Sequence, residues 1–176
     1  MGVWKFMYYA GIGSIDVPSK YHDLIKQFAI ILSQNGYILR VSGENGSSHL
    51  FEEGCDEVHG KKEIYLPWKK YNGRSSRRIV KMHDAFVIAK KYHPNWSSLS
   101  PGGKKQMARY THLVLGGNLK IPSSFVLCYF PSGIDCDSTN QVLRVANGYN
   151  VPIFNIGSYD DLNDCITAFS EFISKL

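Results

Sequence analysis

Strand-like and helix-like stretches alternate along this chain from one end to the other, and that alternation limits the architecture more than any other feature. Residues 4–10 are aromatic and apolar and run into Gly11-Ile12-Gly13-Ser14, which reads as a strand ending in a tight turn. Pro18 and Ser19 then open a helix, with Leu24, Ile25, Phe28, Ile31 and Leu32 at helical spacing and Asn35-Gly36 as its stop. Residues 37–41 form a second strand, followed by Ser42-Gly43-Glu44-Asn45-Gly46 and a helix over about 47–58. A short strand over 63–66 stops at Pro67. Residues 124–130 are a buried strand, 131–137 a loop, 138–148 a helix, 152–155 a last strand and 160–170 the start of a terminal helix. Strands separated by helices imply a parallel sheet with right-handed crossovers. The expected fold is therefore α/β, a Rossmann-like parallel sheet with helices on both faces, in one domain over residues 1–176.

The middle departs from that rhythm. Residues 68–75 read as a loop, 76–92 as a basic amphipathic helix, 93–100 as a second loop, and a further helix starts near Pro101. Between Lys61 and Arg109 thirteen Lys/Arg face only two acids, Glu63 and Asp84, so this segment carries +11 while the rest of the chain carries −6. A basic loop and helix inserted between two halves of one sheet would attract anions. Trp68, Tyr71, Tyr92 and Trp96 interleave with these cations. Flat rings stack on bases while Arg and Lys neutralise phosphates. Trp68 or Trp96 could thus sandwich a base, with Asn95 beside it and Arg74 or Arg109 on a phosphate.

Three glycine-bearing turns follow strands and precede helices, which puts them together at the carboxyl edge of a parallel sheet, where such folds bind ligands. They supply Gly11, Gly13 and Ser14; Gly43, Glu44, Asn45 and Gly46; and Gly133, Asp137, Ser138, Thr139 and Asn140. Glycine allows the backbone to approach a phosphate, and the following helix offers unpaired N–H groups. None is a complete GxGxxG, and no GxxxxGK[ST] occurs, which disfavours dinucleotide dehydrogenases and P-loop ATPases. The four cysteines (55, 128, 136 and 165) form no CxxC, and the histidines are scattered, so neither a metal nor a disulfide framework is expected. No resident cofactor is indicated. The first residues lack a signal-peptide pattern, and no apolar run is long enough to span a membrane, so a cytoplasmic setting is expected.

The chain resembles the SLOG/LOG-DprA superfamily, in particular the short stand-alone DprA-like members frequent in phages. The resemblance runs through Tyr9-Ala10-Gly11-Ile12-Gly13-Ser14, Leu39-Arg40-Val41-Ser42-Gly43, Phe51-Glu52-Glu53-Gly54, Ile64-Tyr65-Leu66-Pro67-Trp68, Tyr71-Asn72-Gly73-Arg74-Ser75-Ser76, His93-Pro94-Asn95-Trp96, Val114-Leu115-Gly116 and Val151-Pro152-Ile153-Phe154-Asn155. It implies a nucleotide-type ligand on the carboxyl edge and a homo-oligomer. The chain departs from the family at Ile15, where Arg is usual, at Gly46-Ser47-Ser48, where Gly-Ala-Asp is usual, and at Asp137-Ser138-Thr139, where Gly-Gly-Thr is usual. The family's hydrolases carry a Glu in a PGGxGTxxE motif, and at that position stands Val142, whose side chain cannot move a proton. Pro101-Gly102-Gly103 is followed by Lys104-Lys105 and does not restore it. The resemblance therefore points to a binder of a nucleotide-derived small molecule, ADP-ribose-like or cyclic, that senses or sequesters it without turnover, in a host cytoplasm if the chain is phage-encoded. The alternatives are a single-stranded DNA-binding recombination mediator and a glycosidic-bond hydrolase using Glu44, Glu52 or Asp137.

Overall fold

The computed structural model describes residues 6–81, 83–132 and 140–176. Six parallel strands form one sheet in the order β4-β3-β2-β1-β5-β6. They are β1 (Met7–Gly13), β2 (Tyr37–Val41), β3 (Lys62–Leu66), β4 (Arg78–Ile79), β5 (Phe125–Tyr129) and β6 (Ile153–Asn155). The helices are α1 (His22–Gln34), α2 (Ser47–Glu57), α3 (His83–Tyr92), α4 (Pro101–Leu115), α5 (Asn140–Gly148) and α6 (Leu162–Ser174). The fold is thus α/β and doubly wound. Strand order reverses between β1 and β5, whose registers run from Tyr9 opposite Phe125 to Gly13 opposite Tyr129.

The period of two along each strand feeds two separate cores. Tyr9, Leu39, Val41, Phe125 and Leu127 point to the α1, α2 and α6 side, where Phe28, Phe51 and Phe169 meet them. Ala10, Ile12, Val126 and Cys128 point the other way, into Leu113 and Val114 of α4 and Val142 and Val145 of α5. Strands buried on both faces are continuous apolar runs, as β5 (Phe-Val-Leu-Cys-Tyr) is. No helix among the described residues is long and apolar enough to cross a membrane.

Two expectations need correcting. Gly11 and Gly13 lie inside β1, not in a turn after it. A Cβ on Gly11 would stand 2.8 Å from both Leu39 and Phe51, so this glycine lets α2 pack closely on the sheet. The second correction concerns residues 76–92, which are not one helix. Ser76 Oγ donates to the Ile64 carbonyl (2.6 Å), and the Val80 N–H donates to the Leu66 carbonyl (3.0 Å). The β-branched pair Ile79-Val80 therefore extends the sheet edge, and the helix begins only at His83.

Candidate functional site

The turns after β1 and β2 are stitched together. The Ser14 N–H donates to the Tyr129 carbonyl (2.9 Å), and the Ser14 carbonyl accepts from both the backbone N–H (3.0 Å) and hydroxyl (2.8 Å) of Ser47. A Cβ on Gly13 would overlap the Tyr129 carbonyl, and one on Gly46 would overlap the Ile15 carbonyl. Gly46 also holds a left-handed φ of 70° as the residue preceding α2, whose N-terminus has no side-chain cap. These glycines are needed for close backbone approach between the two turns.

Glu44 sits in the turn after β2, in a dense polar cluster. Its Oε1 accepts from Arg109 Nη2 (2.9 Å) and the Tyr110 hydroxyl (2.8 Å), and its Oε2 accepts from the Ser42 hydroxyl (2.7 Å). Arg109 Nη1 also donates to the Ser42 carbonyl (2.9 Å). Ser48 lies 3.1 Å from the Ser42 hydroxyl. Arg109 is fully buried, while Glu44 keeps 14% of its side-chain surface exposed. Burial works against the Arg109 charge, but the neighbouring Tyr110 and Glu44 outweigh it and hold the guanidinium above its ordinary range. Burial pushes the Tyr110 phenol far up, so it stays a donor. Arg109, expected on a phosphate, is instead turned inward and committed to Glu44. Its Nε has no partner among the described residues.

An aromatic path leads from this cluster to the surface. The Tyr71 ring lies 5.0 Å from the Arg109 guanidinium, and Trp68 meets Tyr71 edge-to-face at 5.2 Å. Trp68 is 38% exposed and stands beside Gly102 at the start of α4, where Ser100 caps the helix. Asn72 Nδ2 donates to the Gly43 carbonyl (3.2 Å), pinning this loop over the second turn. Arg74 pairs with Glu52, which is buried and also takes Lys62 at 3.3 Å. Arg74 is therefore tied to a carboxylate within the fold.

The remaining site candidates fall elsewhere. Trp96 is half-buried against Phe86 and His93, and Asn95 is exposed in the same loop, so neither joins the Glu44 cluster. Asn45 follows Glu44 in the second turn and is exposed. Gly133, Asp137, Ser138 and Thr139 lie outside the described residues, and Asn140 is the first residue of α5. A cleft of about 760 Å³ opens beside Gly46 on the α1–α2 side. Ile15 projects there, and Lys26 is held by Glu53 (2.8 Å), which also takes His49 (3.4 Å). Among the described residues no group of His, Cys, Asp and Glu could hold a metal ion. Sequence reasoning missed Tyr110 and Ser42; the only hint was their adjacency to Arg109 and Gly43.

No protein-family profile matches the sequence, and no curated protein does. Among solved structures the chain is similar to the molybdenum cofactor carrier protein MCP of Chlamydomonas reinhardtii, with a TM-score of 0.42 and 15% identity over 97% of this chain and 99% of that one. Nothing about this chain's site follows from so distant a likeness.

Proposed function

We propose that the protein binds a ribonucleotide-derived small molecule, ADP-ribose-like or cyclic, at the carboxyl edge of its sheet and does not turn it over. Glu44 carries this reading. In dinucleotide-binding doubly wound folds an acidic side chain following the second strand bonds a ribose hydroxyl. Glu44 stands in the turn that follows β2, and its carboxylate, with about four acceptor sites, has three taken by donors of the protein itself. The remaining acceptor suits a sugar hydroxyl. Trp68 and Tyr71 offer rings for the base at one side of it, and the Gly43–Gly46 turn, leading into an α2 start that has no side-chain cap, is the place for the phosphate.

Binding without turnover is supported by the state of the acids. Both Glu44 oxygens already accept from donors of the protein, and Glu52 is buried under Arg74 and Lys62, so neither carboxylate stands free over the turns. Val142 is completely buried in the core. Sensing or sequestering a nucleotide signal is the role that such a binder fills. A thermal-shift panel of AMP, cyclic nucleotides and ADP-ribose tests the reading, with chromatography of each mixture. A melting temperature raised by at least one member, with no free base released, is expected. Silence across the panel, or release of base, contradicts it.

A further inference from the structure

The opposite end of α4 carries a second concave feature that the Glu44 cluster does not share. On the α4 face of the sheet, side chains from β1 to β4 and the turn after α4 enclose a cleft of about 430 Å³. Its floor is an ionic network around one carboxylate. Glu63 Oε2 accepts from Arg40 Nε (3.1 Å) and the Tyr65 hydroxyl (2.7 Å), and Oε1 accepts from Arg78 Nη2 (2.9 Å). Arg40 is almost fully buried, donates to the Ile121 carbonyl (2.7 Å) and lies 3.8 Å over the Tyr8 ring. His112 stacks on Tyr65 at 5.4 Å, and its Nδ1 is 3.1 Å from the Gly116 carbonyl.

The charges in this cleft do not balance. Three guanidiniums, Arg40, Arg77 and Arg78, line it with a single carboxylate. Glu63 neutralises the buried Arg40, which leaves two positive charges. Arg78 is 47% exposed, and the exposed Arg77 side chain has no hydrogen bond or ion pair among the described residues. A guanidinium matches a phosphate with two parallel N–H donors, and two of them match its double charge. Beside these cations, Ile79 and the half-exposed Ile121 give the cleft an apolar wall. The volume exceeds what a lone phosphate fills, so there is room for an organic body.

We infer that this cleft is a second ligand site, which takes a small organic phosphate monoester through Arg77 and Arg78 and rests its body on Ile79 and Ile121. It is independent of the Glu44 reading. Calorimetry on the full chain at low ionic strength, with phenyl phosphate, inorganic phosphate and benzoate as probes, tests it. Saturable binding of phenyl phosphate is expected, tighter than that of inorganic phosphate or benzoate. The Arg77→Ala/Arg78→Ala variant weakens it at least about tenfold. Arg77→Ala alone, which removes no hydrogen bond or ion pair seen among the described residues, weakens it in part with an unchanged melting temperature, and Trp68→Ala leaves it intact. The site is refuted by non-saturable heats, by benzoate binding as tightly as phenyl phosphate, by an Arg77→Ala variant with full affinity, or by loss of binding in Trp68→Ala.

Discussion

Arg109 and Glu44 form a pair whose two ends have different exposure, and that asymmetry governs what substitutions do. The guanidinium is fully buried and the carboxylate is not. Removing one charge leaves the other desolvated or unpartnered, whereas replacing both with apolar groups removes the problem. Arg109→Met should therefore lower stability by about 3–5 kcal/mol, and Arg109→Met/Glu44→Leu should recover most of it. Urea denaturation checks this, and a loss under about 1 kcal/mol in the single variant would show that the pair does little. His112 tests a second residue. Burial holds its imidazole below the ordinary histidine range, with the Gly116 carbonyl pulling the other way. The unfolded chain thus binds the proton more readily than the folded one, so this contribution is present above about pH 6.5 and is lost as pH falls below it. The urea midpoint of the wild type should drop between pH 7 and pH 5 by more than that of His112→Gln. Equal drops would remove His112 as the cause.

Turns and helices were legible in proportion to how local their signals are. The strands β1, β2 and β5 announce themselves as apolar runs, and the α4 start at Pro101 is marked by Ser100 before it. The two-residue β4 gave no such run, and its arginine-rich surroundings read as an amphipathic helix. Gly11 read as a turn residue because glycine usually is one; its reason is contact with Leu39 and Phe51, which sequence spacing does not reveal. The turn glycines differ in kind, and this can be measured. Gly36 has a φ of 82° and nothing near an added Cβ, so Gly36→Ala meets only the left-handed penalty of about 1–2 kcal/mol. Gly46 adds a collision with the Ile15 backbone to a similar φ, so Gly46→Ala should cost more than Gly36→Ala, by about 1–3 kcal/mol. Thermal melts that rank the two the other way would mean that the turns after β1 and β2 are not locked together as described.

At the scale of the whole molecule, the sheet gathers a site that the chain disperses. Ser42 and Glu44 come from the turn after β2, Arg109 and Tyr110 from α4, and Trp68 and Tyr71 from the segment after β3. The glycine turns and Glu44 could be picked out by position after predicted strands. Nothing in the sequence paired Glu44 with an arginine 65 residues away, and so Arg109 was expected to face a phosphate. The same architecture separates the two proposed ligand sites, one at the carboxyl edge and one under Arg77 and Arg78 on the α4 face. At the first of these, Glu44 is proposed to take a ribose hydroxyl. Calorimetry comparing the nucleotide of the thermal-shift panel that stabilises the protein most with its 2′-deoxy analogue tests it most directly. Saturable binding of the ribonucleotide is expected, with an affinity for the deoxy analogue lower by at least about tenfold, because a polar group left unpaired rejects the missing hydroxyl. Equal affinity for the two, or binding of neither, would contradict it.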